Sequence, residues 1–216
     1  MSLIRVEVTV AVRVKAESGL GLVLTLTLMQ VEDEGKEDNP TAQQIAADEE
    51  AKEWAEWEAN PEPFGGLETL AKIRKAKESG ATDLVLVDNK ITDVTPLAKL
   101  EKLQYLQLAH NQVEKLDGLA GLKKLSAVYL SNNKVVSVAP LKGLEKLSSL
   151  YLDNNKVTDL APLKGLKWVA NLALRNNQVK DIAALSNMTE LRYTFLEGNK
   201  VTDLGPLVAM AQKDAK

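Results

Sequence analysis

The sequence predicts an α/β solenoid: a horseshoe of stacked coils with a parallel concave sheet and 3₁₀ or short helical convex returns, preceded by an N-terminal helical cap. Three observations carry this. Six asparagines, Asn89, Asn111, Asn133, Asn155, Asn177 and Asn199, recur every 22 residues. A fixed period of that length means one short unit stacked on itself, because a single unit cannot cover its own apolar face. Apolar residues also keep fixed columns around each Asn. Ahead of it stand sets such as Leu103, Leu106, Leu108 and Leu147, Leu150, Leu152; behind it stand sets such as Val157, Leu160, Leu163 and Leu166. Finally, Pro96, Pro140, Pro162 and Pro206 share one column, where a missing N–H is tolerable only at a turn or a first helical position.

From eight residues before each Asn to the Asn itself, the pattern reads L-x-x-L-x-L-x-x-N, and the full spelling from Asn155 to Leu174 is NKVTDLAPLKGLKWVANLAL. This resembles the leucine-rich repeat, in the 22-residue class of bacterial internalins. The resemblance covers 81–216. It implies protein recognition, and in some members a secreted or cell-envelope location. Independently of the family, L-x-L with branched neighbours reads as a short strand. Each unit is therefore strand, Asn turn and short return. One position breaks the pattern: Thr194 stands in the column of Leu84, Leu106, Val128, Leu150 and Leu172.

Four segments follow in order. Residues 1–31 hold Val6, Val8, Val10, Val12 and Val14, then Glu17-Ser18-Gly19, then an apolar run from Leu20 to Met29. Two readings stand side by side. The period of two with a Ser-Gly turn suits a β-hairpin; Arg13 and Lys15 ahead of an apolar run suit an export signal, although no small-x-small cleavage site follows Met29. The run is too short to span a membrane.

Residues 32–60 form an acidic spacer and a helix that starts behind Pro40, with Thr41 and Gln44 as a capping box. Trp54 and Trp57 lie on one side of that helix and are expected to dock on the body of the protein. Residues 61–80 are a Pro-Gly linker and a capping helix carrying Leu67, Leu70 and Ile73, ended by Gly80. That helix sits where a solenoid needs a lid. Residues 81–216 are the six Asn-centred repeats. Beyond Asn199 the return runs through Leu204, Leu207 and Met210 with no amphipathic helix expected, so the far edge is read as uncapped and open to self-association.

Composition bounds the chemistry. The chain has 216 residues, 45% of them hydrophobic, and a formal net charge of −3, which calls for no nucleic-acid partner. Charge is uneven: from Glu32 to Glu58 eleven acids meet only Lys36 and Lys52, a net of −9, which leaves the remainder at +6. There are no cysteines, hence no thiolate ligand or cysteine nucleophile. No phosphate loop, zinc motif or EF-hand loop occurs. His110, the only histidine, shares a column with Asp88. A His–Asp pair without a placed nucleophile is an ordinary surface contact, and Asp83 with Asp88 supports a metal only weakly. The reading is of a non-enzyme with no cofactor and no metal.

The repeat asparagines are expected to satisfy backbone groups of adjacent coils. Asp93, Asp159, Asp181 and Asp203, four residues on, are expected to cap the returns. Function must then come from outward positions on the strands. All four tyrosines are there, Tyr105, Tyr129, Tyr151 and Tyr193, joined by Phe195, with Gln107, Asp153, Arg175 and Glu197 beside them. Tyr and Arg anchor protein interfaces, since they bury much area with few torsions to fix. These residues define the expected partner-binding face, for a protein or peptide. A structural scaffold acting through the far edge, or a regulatory domain of a larger enzyme, are the alternatives. Trp168 occupies a column otherwise held by Lys102, Lys124, Lys146 and Glu190, so it is expected to be exposed.

Overall fold

A computed structural model describes residues 8–13, 23–28 and 40–214; the Glu17-Ser18-Gly19 turn and the acidic run 32–39 lie outside these. The chain divides into two compact units, Met1–Glu50 and Ala51–Lys216. In the first, β1 (Val8–Arg13) pairs antiparallel with β2 (Val23–Leu28), from Val8 opposite Leu28 to Arg13 opposite Val23. Helix α1 (Ala42–Ala59) opens with a reciprocal capping box: the Gln44 N–H donates to Thr41 Oγ1 at 3.2 Å, and the Thr41 N–H donates to Gln44 Oε1 at 2.7 Å. Two otherwise orphaned donors are thereby satisfied.

In the second unit Trp54 is buried to 3% exposure, its ring edge-on to Trp57 at 5.0 Å and covered by the Arg74 guanidinium at 5.4 Å. Glu58 pairs with Arg74 at 2.6 Å, and Glu53 pairs with Lys99. Helix α2 (Leu67–Ser79) buries Leu70, Ile73 and Ala76 in the same core as the first repeat strand. It ends on Gly80, which takes the left-handed conformation at φ 63° and donates to the last turn, a helix stop that glycine provides without strain. The linker latches onto the first return, where Pro63 O accepts from the N–H groups of Thr92 (2.8 Å) and Asp93 (2.9 Å).

Six three-residue strands follow: β3 (Asp83–Val85), β4 (Tyr105–Gln107), β5 (Ala127–Tyr129), β6 (Ser149–Tyr151), β7 (Asn171–Ala173) and β8 (Tyr193–Phe195). They form one parallel sheet in sequence order, each in register with the residue 22 positions on. Five short 3₁₀ returns connect them. In the inner coils every core column is essentially solvent-free, as with Leu125, Val128, Leu130, Val135, Val138, Leu141 and Leu144.

Side chains carry what no ladder reaches. Asn133 Oδ1 accepts from the Val113 N–H at 2.9 Å, and its Nδ2 donates to Leu108 O at 2.9 Å and Leu130 O at 3.0 Å. Asn111, Asn155 and Asn177 repeat this bonding. The returns are capped as expected: Asp93, Asp159, Asp181 and Asp203 each accept from the backbone N–H two residues on, at 2.7–2.8 Å. Gly118 takes the proline column's place because the coils touch there. A Cβ on it would lie 2.0 Å from Val94 O.

The far end corrects the sequence reading. Where no covering helix is expected, α3 (Gly205–Asp214) packs against the return Ala183–Asn187, with Leu207 and Met210 on the core. Pro206 starts this segment as its counterparts start theirs. Leu207, Ala209, Met210 and Ala211 are helix formers, and the turn continues as α-helix. The edge is thus covered on its return side, while among the described residues β8 has one strand neighbour and Leu191, Leu196 and Val201 are only partly buried. The Thr194 hydroxyl, in the same coil, is buried without a hydrogen-bond partner.

Candidate binding face

The central residue of each inner strand points into the core, and its neighbours point out. Period-two alternation in a sheet covered on one side leaves a continuous outward face. The parallel register sets Tyr105 opposite Ala127, Gln107 opposite Tyr129, Tyr129 opposite Tyr151 and Ala173 opposite Phe195. Tyr129 and Tyr151 stack with ring centroids 4.6 Å apart and planes 5° from parallel. Tyr105, one column over, leans across small Ala127 to reach Tyr129 at 5.1 Å, tilted by 44°. Three half-buried rings therefore form one aromatic step across β4, β5 and β6. Burial raises the Tyr129 phenol above the ordinary tyrosine value, and Tyr105 and Tyr151 on either side add to the rise.

The second half of the face is ionic. Arg175 lies with its guanidinium over the Phe195 ring at 3.8 Å, its Nε 3.2 Å from Glu197 and an Nη 3.7 Å from Asp153. Asp153 also accepts from the Arg175 backbone N–H at 2.7 Å. One cation between two carboxylates leaves this cluster with excess negative charge. Gln107 is partly committed, since its Oε1 accepts from the Ala109 N–H at 3.1 Å. Tyr193 stands apart from the tyrosine step, 62% exposed and opposite Asn171. The structure thus joins Tyr105, Tyr129 and Tyr151 in one group and Asp153, Arg175, Phe195 and Glu197 in another.

Beside the face runs a second ladder. Asn132, Asn154 and Asn176, each in the left-handed conformation at φ 55–59°, are linked rung to rung. Asn176 Nδ2 donates to Asn154 Oδ1 at 2.7 Å, Asn154 Nδ2 to Asn132 Oδ1 at 2.8 Å, and Asn132 Nδ2 lies 3.2 Å from His110 Nε2. Asparagine tolerates this conformation better than most residues. In the sequence these positions show only as the doublets Asn132-Asn133, Asn154-Asn155 and Asn176-Asn177, which do not say where the first amide reaches. Gly198 ends the row, since a Cβ there would meet Asn176 Oδ1 at 2.2 Å. His110 thus turns to Asn132, and among the described residues no hydrogen bond joins it to Asp88. No cluster of three or more His, Asp or Glu suited to a metal occurs among the described residues.

The family profile described as "Leucine rich repeat" matches 79–135, and that described as "Leucine Rich repeats (2 copies)" matches 122–165. No curated protein matches the chain. Among solved structures, an internalin (inlF) of Listeria monocytogenes is 27% identical with a TM-score of 0.55, over 61% of this chain and 46% of that one. Internalin C2 of the same organism is 32% identical with a TM-score of 0.51, over 60% of this chain and 67% of that one. A leucine-rich-repeat protein of Leptospira interrogans is 28% identical with a TM-score of 0.56, over 59% of this chain and 34% of that one. This chain therefore spans about half or less of two of these three relatives. No helix among the described residues is long and apolar enough to cross a membrane. Taken with the asparagine-bonded coils and the parallel sheet, these likenesses show that the chain belongs to the leucine-rich-repeat proteins, with internalin-like repeats.

Proposed function

We propose that the chain is a non-enzymatic binding module that holds a protein or peptide on the concave, tyrosine-lined face of its sheet. The fold is a common scaffold for protein interaction. The observation that carries the reading is the Tyr105–Tyr129–Tyr151 step: three aromatic rings gathered on the outward face, where the core does not require them. Next to it, Asp153 and Glu197 bracket Arg175. A partner would set an apolar or aromatic side chain on the tyrosines and a basic group near the two carboxylates. The residues offered for contact are Tyr105, Gln107, Tyr129, Tyr151, Asp153, Arg175, Tyr193 and Phe195.

The stacked geometry of Tyr129 and Tyr151 also braces the sheet, so the test must separate the two roles. Replacing Tyr105, Tyr129 and Tyr151 together with Ala is expected to leave folding nearly intact while each true anchor costs about 2 kcal/mol or more of binding. Capture of a partner by wild type and triple variant, beside thermal melting of both, reads out the difference. A variant that melts much earlier and still captures the same partner as wild type would sink the reading. A second reading, self-association through the β8 edge, draws on the partly buried Leu191, Leu196 and Val201. Mass that rises with concentration in light scattering would support it.

A further inference from the structure

A different surface carries its own ligand chemistry. At the N-terminal ends of the strands, Lys124, Lys146 and Trp168 occupy one column on three successive coils, since Ser149 pairs with Asn171 and Ala127 with Ser149. Trp168 is 64% exposed, the only tryptophan in the repeats. Its chain neighbour Lys167 lines a groove of about 720 Å³ together with Lys142 and Lys164, with Glu145 as the groove's one acid. Gly165, in the same wall, would meet nothing within 4 Å if it carried a Cβ, so a ligand chain has access to the backbone there. Among the described residues none of Lys124, Lys142, Lys146, Lys164 and Lys167 pairs with a carboxylate. Glu145 lies among them without neutralising them. Three of these lysines line the groove and two share the column of Trp168, which Glu190 occupies on the next coil; with one acid in the groove and one in the column the lysines remain in excess, like charges repel, and a bare aromatic favours burial.

We propose that this lip is a second binding surface, for an acidic peptide segment of a partner protein. Charge complementarity selects the class: the ammonium groups attract a row of carboxylates, and Trp168 offers an apolar platform for a side chain between them. A peptide fits better than nucleic acid because the basic charge is local to this lip: outside Glu32–Glu58 the chain carries only +6, while nucleic-acid binding draws on a basic field extending over a domain. The surface is independent of the tyrosine face.

The test uses the full chain and a fluorescein-labelled peptide of twelve residues, Glu and Asp around a central Leu, with its Gln/Asn counterpart as control. Anisotropy is read at about 50 and about 200 mM salt, where exposed charge attraction is screened to different degrees. The acidic peptide is expected to bind, more weakly at the higher salt, and the neutral one not to bind. Lys142→Glu/Lys164→Glu/Lys167→Glu should weaken binding by about tenfold or more, and Trp168→Ala by about fivefold. Lys134→Glu/Lys156→Glu on the opposite lip, and Tyr129→Ala/Tyr151→Ala on the tyrosine face, should stay within about twofold. The lysine-to-Gln triple variant, which adds no new charge, repeats the loss if the Glu version folds poorly. The proposal is overturned by equal binding of the two peptides, by unchanged binding in the lysine variants, or by an oligothymidine strand binding more tightly than the acidic peptide.

Discussion

Thr194→Val tests the core where the repeat departs from its own rule. Thr194 stands in a column of buried Leu and Val, and its Oγ1 is buried without a hydrogen-bond partner. Valine has nearly the same shape and no hydroxyl, so the substitution removes an unsatisfied polar atom and leaves the packing in place. An orphaned hydroxyl costs about 1–3 kcal/mol. The residue itself is only half-buried at the edge coil, so the lower end applies, a gain of about 1 kcal/mol. For a domain of this size that raises the melting temperature by about 2–4 °C. Thermal and urea unfolding read the gain, and amide exchange locates it. In a solenoid the benefit should concentrate in the last coil and its neighbour, because each coil touches only those beside it. Thr194→Ser, which keeps the hydroxyl and drops the methyl, should go the other way. An unchanged or lowered melting temperature for Thr194→Val would refute the reasoning.

Asn155→Ala strips four bonds at once: the buried Val135 N–H is orphaned, while the Leu130 and Leu152 carbonyls keep one amide each, from Asn133 and Asn177; a loss of about 3 kcal/mol is expected in urea unfolding. Gly118→Ala drives a methyl to 2.0 Å from Val94 O, and the two coils must part, which is expected to cost about 2 kcal/mol or more by the same measurement. Alkaline titration follows from Tyr129. Its phenol is raised by burial in the folded state, so the contribution is fully present below the unfolded value of about 10 and is lost as pH rises through the folded value. Absorbance of tyrosinate should show a late-titrating component that is lost in Tyr129→Phe.

What the sequence made legible is what the period repeats. The Asn column, the Asp caps and the exposure of Trp168 each follow from comparing a residue with its counterparts 22 positions away, and the structure shows all three. Repetition also told where Thr194 would be out of place. It was silent on the form of the return behind Asn199. A reading tuned to the repeat takes the loss of its pattern there for a loss of structure, whereas Pro206 lies in the first turn of helix α3. The tyrosine face was half legible: the sequence marked the outward positions, but Tyr105 lies two residues earlier in its unit than Tyr129 and Tyr151 in theirs. Only the small Ala127 lets the three rings meet. The ladder through Asn132, Asn154 and Asn176 went unread because nothing in an Asn-Asn doublet says that the first amide will reach sideways rather than inward.

The repeat asparagines all reach in one direction. Asn111 holds Asn89, Ile91 and Leu86; Asn133 holds Val113 and Leu108; Asn199 holds Val179 and Leu174. Each coil is therefore completed by the one that comes after it in the chain. Asn89, the first, is served instead by the cap, where its Oδ1 accepts from the Thr69 hydroxyl at 3.1 Å. On a ribosome this order matters. The cap emerges ahead of the first strand, and every later coil, as it leaves the exit tunnel, brings the amide that closes its predecessor. Assembly during synthesis has a built-in direction, and a pause within a unit leaves just one coil waiting for its seal.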